Sequence, residues 1–128
     1  MGKLIVSSLA LLTAGCIAAA AGAGAAGAVY VSERGVESQL GVPVDRAYDA
    51  ARLAFQDLGI SMGKSSSEQD GSAVKKTLEG SKDDRDVTVT VKTEGSGSHV
   101  EVVAKKSPVT WDKDLARKIL EKIVAKSS

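Results

Sequence analysis

The sequence predicts a two-layer α+β domain, in which an antiparallel sheet of four to five strands is covered on one face by two helices. Segments that alternate apolar and polar residues recur in the second half of the chain, and they predict strands with one buried face. Two amphipathic segments predict helices that cover this face. The predicted order of elements is β-α-β-β-β-β-α, within a domain that spans residues 29–128.

The first strand and the first helix are predicted from residues 29–58. Residues 29–40 are rich in β-branched side chains and alternate in part, which predicts a strand that is broken at Gly35. From Val44 to Leu58, apolar residues recur at helical spacing, and Leu53 is the one apolar residue on the polar side. Gly59 follows as a typical helix terminator, so the segment predicts one amphipathic helix.

Four more strands are predicted between the two helices. The segments are a strand from Ile60, a polar turn at 65–71, a strand at 72–79, a turn at 80–84, a strand at 85–93, a loose turn at 95–98 and a strand at 100–105. The strand at 85–93 has the clearest pattern, because three valines alternate with Thr88, Thr90 and Lys92. Asp70-Gly71 is a strong hairpin signal.

The second helix is predicted from an apolar stripe near the end of the chain. Trp111, Leu115, Ile119 and Ile123 are spaced for one helix face, and such a stripe is typical of a core. Aspartates in the first turn and lysines towards the end suit the helix dipole. Pro108 and Thr110 would introduce this helix.

Cys16, the only cysteine, ends an uncharged apolar run in the context Leu11-Leu12-Thr13-Ala14-Gly15-Cys16. This context looks like a lipobox, at which a thiol is lipidated and the chain is cut before it. Residues 1–15 are then a signal peptide, and Cys16 is the lipidation site. The Ala/Gly-rich residues 16–28 are predicted to be a tether between the lipid and the domain.

Two alternatives to the lipoprotein interpretation stay open at this point. Residues 4–31 carry no charge and are long enough to span a bilayer, which predicts an uncleaved transmembrane anchor. A plain secretory signal is the other alternative. If Cys16 is lipidated in a bacterium with two membranes, Ile17 in place of an aspartate favours the periplasmic face of the outer membrane over the inner membrane.

The residue types argue against most catalytic and metal chemistry. His99 is the only histidine, and its place after a Gly/Ser turn predicts a solvent-exposed residue at a strand end. One histidine and no free cysteine do not make a zinc site, and residues 83–86 lack the ligand spacing of a calcium loop. The net charge of +1 provides no basic field for nucleic acid. We therefore predict no catalytic residue, no metal, no cofactor and no nucleic-acid partner.

Several of these segments together resemble a family of small bacterial lipoproteins known only as a domain of unknown function, number 3568. The features are Gly15-Cys16, the Ala/Gly tether, residues 28–31, the helix that ends in Leu58-Gly59-Ile60, the Asp70-Gly71 turn, residues 87–91 and the terminal helix. The resemblance covers almost the whole chain and implies lipidation and a shared fold, but no catalytic residue. The element order is also similar to the helix-grip domains of accessory lipoproteins in outer-membrane protein assembly, which is a likeness of fold alone.

The expected function is that of a non-enzymatic lipoprotein of the cell envelope. Its lipid would hold it to the membrane, and its domain would bind an envelope protein or contribute to envelope maintenance. Residues 65–69 and the polar side of the strand at 85–93 are the candidates for a recognition surface. Besides the membrane anchor, the alternative function is a carrier for a small apolar ligand between the helices and the sheet.

Overall fold

A computed structural model describes residues 26–127, which form seven strands and two helices. The elements are β1 (Ala26–Val31), β2 (Gly35–Leu40), α1 (Val44–Leu58), β3 (Ser61–Asp70), β4 (Ala73–Lys82), β5 (Arg85–Glu94), β6 (Gly97–Ser107), β7 (Thr110–Trp111) and α2 (Lys113–Ser127).

The strands form one antiparallel sheet in the order β1-β2-β6-β5-β4-β3, and β7 pairs with the end of β6. The α+β class with an antiparallel sheet is therefore confirmed, but the number of strands is larger than predicted. The predicted strand at 29–40 is a hairpin, because the chain reverses at residues 32–34 and β1 pairs with β2. β1 begins at Ala26, inside the segment assigned to the tether.

Both helices lie on one face of the sheet, and the core fills the space between the layers. α1 contributes small side chains and one large one, Phe55, which is fully buried. The other fully buried large apolar side chains come from α2 and the sheet: Ile119, Leu120, Ile123, Val36, Val87, Val89, Val91, Val100 and Val102. Every second residue is buried over 87–91 of β5 and over 98–104 of β6, as one covered sheet face requires.

α1 has the predicted bounds. Gly59 ends it in the left-handed conformation (φ 69°), and the backbone N–H of Ile60 donates to the carbonyl of Phe55. A glycine adopts this conformation without the steric penalty of a Cβ, which explains why the helix stops there.

The predicted polar turn at 65–71 is wrong over most of its length. Residues 65–70 belong to β3, a ten-residue edge strand whose side chains are all exposed. A strand with no buried side chain shows no apolar alternation. The sequence therefore gives no sign that this segment pairs with β4. The hairpin signal at Asp70-Gly71 is confirmed, whereas the next turn is shorter than predicted and is made by Asp83 and Asp84 with positive φ.

The start of the last helix also differs from the prediction. Trp111 lies in β7 and α2 begins at Lys113, so the tryptophan does not belong to the helical stripe. Asp112 caps the helix: the backbone N–H of Leu115 donates to its Oδ1 at 3.0 Å. Arg85 Nε lies 3.0 Å from its Oδ2.

We expect Asp112→Ala to lower the free energy of unfolding at pH 7 by about 1 kcal/mol, the usual value of an N-cap. The N–H of Leu115, followed by Arg85, holds the pKa of Asp112 below its ordinary value, although burial opposes this shift. A carboxylate with a lowered pKa stabilises the fold above its unfolded pKa of about 3.9 and loses that contribution as the pH falls through its folded pKa.

Urea denaturation at pH 7 and at pH 3 measures this effect. The difference between wild type and Asp112→Ala should shrink at pH 3. Asp114→Ala is the matched control, since Asp114 is exposed in the same first turn and should show little change at pH 7. An Asp112→Ala deficit that stays constant between the two pH values would contradict the prediction.

Candidate functional site: the uncovered face of the sheet

The sheet has a second face on which no helix or strand of residues 26–127 packs. Strand register places every second side chain of the central strands there. We call this surface the uncovered face, and its central residues are Glu37, Gln39, Lys75, Thr77, Glu79, Asp86, Thr88, Thr90, Lys92, Glu94, His99, Glu101, Val103 and Lys105. Thr88, Thr90 and Lys92 lie together in its centre, as the alternation of β5 predicts.

His99 is held between two carboxylates on this face. Its Nε2 lies 2.7 Å from Oε1 of Glu37, and its Nδ1 lies 3.1 Å from Oε2 of Glu94. Gln39 Nε2 donates to Oε1 of Glu94 at 2.6 Å. These four residues, the His99 cluster, connect side chains of β2, β5 and β6.

His99 lies near the start of β6, after the Gly/Ser turn, as predicted. The prediction that it is exposed to solvent is wrong, because only 21% of its side chain is exposed. The sequence hid this arrangement because Glu37 is 62 positions away and reaches His99 only through the pairing of β2 with β6. Both ring nitrogens lie within 3.1 Å of a carboxylate oxygen. Within residues 26–127, no group of three or more His, Cys, Asp or Glu is placed to hold a metal ion.

A cleft of about 730 Å³ lies on the same face beside β7. We call it the Trp111 cleft, and its lining is Arg34, Glu79, Gly80, Asp86, Val87, Thr88, Glu101, Val103, Lys105, Pro108 and Trp111. Side chains of both signs line it. The indole Nε1 of Trp111 is buried and has no hydrogen-bond partner within the described part of the chain. An unsatisfied buried donor costs about 1–3 kcal/mol, and an acceptor from a bound partner would recover that loss.

The other predicted recognition segment, residues 65–69, lies partly on the same surface. Ser66 and Glu68 pair with Thr77 and Lys75, so part of this polar stretch extends the uncovered face onto β3. Sequence reasoning missed Trp111 as a site residue, because its spacing from Leu115 matched a helical core stripe.

Cys16, the signal peptide and most of the predicted tether and transmembrane segment lie outside the described residues. In residues 26–127, neither helix has the length and hydropathy to cross a membrane. The space between the helices and the sheet, where a small apolar ligand would sit, holds the fully buried side chains of Phe55, Ile119, Leu120 and Ile123. The carrier function stays a prediction.

Comparison with known proteins places the chain in a family. The model of the family described as "Protein of unknown function (DUF3568)" matches residues 1–126, so the chain belongs to this family. No curated protein and no solved structure matches the chain.

Proposed function

We propose that this member of the DUF3568 family is a non-enzymatic lipoprotein of the bacterial envelope, which binds a partner protein through the uncovered face of its sheet. The observation that carries the proposal is the set of side chains on that face. It combines the hydrogen-bonded His99 cluster with the Trp111 cleft, while the other face is occupied by both helices. Cys16 supplies the anchor, and the predicted location is the periplasmic face of the outer membrane.

The distribution of charge favours a protein partner. The uncovered face mixes carboxylates with Lys75, Lys92 and Lys105, so it presents alternating signs that a polar protein surface can complement. Tryptophan and arginine are among the residue types that most often anchor an interface, and Trp111 and Arg34 line the same cleft. A partner acceptor for the indole N–H would make the tryptophan the centre of the contact.

The anchor would keep this face near the membrane. Nine residues separate Cys16 from Ala26, the first residue of β1. Even a fully extended chain of this length spans only about 35 Å. The domain of a lipidated protein would therefore work close to the lipid surface, which supports a partner that is itself in or near the membrane.

Lipidation is tested by metabolic labelling with palmitate. Wild type should take up label and Cys16→Ser should take up none, because the thiol is the only acceptor of the lipid in the proposed motif. Thr13→Leu is the matched control: it moves the motif towards the usual pattern and should keep the label. An unlabelled wild-type chain that stays in the membrane fraction would favour the transmembrane anchor and refute lipidation.

Partner binding is tested by photo-crosslinking in intact cells. A photoreactive amino acid at Thr90, in the centre of the uncovered face, should give a discrete adduct that mass spectrometry identifies as a second protein. The same amino acid at Arg52, exposed on α1, is the matched control and should give no such adduct. Equal adducts from both positions, or none from Thr90, would refute the proposed face.

A further inference from the structure

The two edges of the sheet are protected very differently. Both edge strands have a register irregularity, β3 between Met62 and Ser65 and β1 between Ala26 and Val29. β3 also carries Lys64, Glu68 and Asp70, and charged side chains keep an edge strand from pairing with another chain. β1, at the opposite edge, has no charged residue. Its side chains Val29, Tyr30 and Val31 are 39%, 59% and 52% exposed. No strand of residues 26–127 covers the outer side of β1.

The backbone of β1 offers specific hydrogen-bonding groups at this edge. The N–H of Ser32 donates to the carbonyl of Gly35 at 2.8 Å, so the polar groups of Ser32 face β2. Backbone direction alternates along a strand, and Tyr30 therefore also faces β2. The backbone N–H and C=O groups of Val29 and Val31 therefore point away from β2, towards the outer side of the sheet edge.

We propose that β1 pairs with β1 of a second copy of this chain, antiparallel and centred on Tyr30. The segment Val29-Tyr30-Val31 is symmetric about the tyrosine, so a twofold axis there sets Val29 opposite the partner's Val31. In this register the outward groups of both valines form hydrogen-bonded pairs with the partner strand. A twofold contact of this kind is closed, so it gives a dimer and not a filament.

In this register, like side chains of the two copies meet on both faces of the joined sheet. Tyr30 meets the partner's Tyr30 at a non-hydrogen-bonded position, where the Cα atoms are about 4.5 Å apart and side chains lie closest. Val29 and Val31 lie on the helix side of the sheet, because they pair with Ser38 and Val36 of β2. The valine pairs on either side of the dimer axis would therefore join the apolar faces of the two sheets into one continuous apolar face.

The mass of the detergent-solubilised full chain, measured by light scattering, tests the dimer. Wild type should have twice the mass of one chain. Val31→Lys should reduce it to the mass of one chain, since residue 31 faces the partner's Val29 and the substitution places a cation in each of the two apolar pairs. Ser67→Lys, on the charged edge strand β3, is the matched control and should leave the dimer intact. A wild-type monomer, or equal effects of the two substitutions, would overturn the proposal.

A disulfide tests the register without altering the edge. The Cα separation expected at the Tyr30 pair is within disulfide range, so Tyr30→Cys should give a crosslinked dimer under mild oxidation. Ser67→Cys should not, and wild type, whose only thiol is Cys16, sets the background. Circular dichroism of each variant verifies folding. Failure of Tyr30→Cys to crosslink above background would rule out this register. Neither experiment depends on lipidation or on a partner at the uncovered face.

Discussion

Replacing Phe55 with alanine should lower the free energy of unfolding by about 3–5 kcal/mol, the range for loss of a buried aromatic side chain. Phe55 is fully buried on α1. Its ring occupies the space above Gly80 of β4: a Cβ at Gly80 would lie 2.8 Å from Cε2 of Phe55 and 3.0 Å from a methyl carbon of Ile60. Because the backbones on both sides are held by the sheet and the helix, the cavity can collapse only in part.

Urea denaturation followed by circular dichroism measures this loss. Leu53→Ala is the matched control, because Leu53 lies on the same helix with 45% of its surface exposed. Its substitution should cost less than about 1 kcal/mol, in line with the small effects of surface positions. Similar losses for Phe55→Ala and Leu53→Ala would show that Phe55 does not hold the helix to the sheet.

Substitution of Gly35 by alanine should cost about 3 kcal/mol, at the upper end of the range for overpacking. A Cβ at Gly35 would overlap the backbone carbonyl oxygen of Val102 and would lie 3.1 Å from Cα of Val103. These are backbone atoms of β6, which is itself paired with β5 on its other side. Relief of the overlap requires β2 to separate from β6, and this pairing also carries Glu37 to His99.

Denaturation and amide hydrogen exchange of β2 measure this effect. We expect faster exchange in β2 and β6 of Gly35→Ala than in wild type. Gly63→Ala is the matched control: a Cβ there would lie 3.3 Å from the carbonyl oxygen of Glu79, on the edge strand β3, so a small shift relieves it. Its cost should be about 1 kcal/mol. Unchanged exchange in β2 of Gly35→Ala would contradict the proposed overlap.

Local elements with a buried face could be predicted from the sequence. α1 and β5 are the clearest cases: the bounds Val44–Leu58 match, and the predicted strand at 85–93 differs from β5 by one residue. Burial of one side produces a periodic pattern of side chains, and that pattern is visible without coordinates. Most of β3 was not predicted, because its side chains are all exposed and therefore show no such pattern. The strand is held by backbone hydrogen bonds to β4, and side-chain patterns do not show these bonds.

The candidate site could be predicted only where it lies within one strand. The shared face of Thr88, Thr90 and Lys92 follows from alternation along β5. The His99 cluster and the Trp111 cleft combine residues from distant strands, so they depend on strand order and register. Glu37 and Glu94 reach His99 only because β2 and β5 both pair with β6.

Sequence patterns were sufficient for the class of fold, for the nature of most elements and for the resemblance to the family, because these depend on contacts between near neighbours. The lipidation of Cys16 stays a prediction from its local motif. The tertiary structure was needed for the position of β2 beside β6, for the unprotected edge at β1 and for the surroundings of His99 and Trp111. These follow from backbone pairing between segments far apart in the chain, and every residue except proline offers the same backbone groups for such pairing.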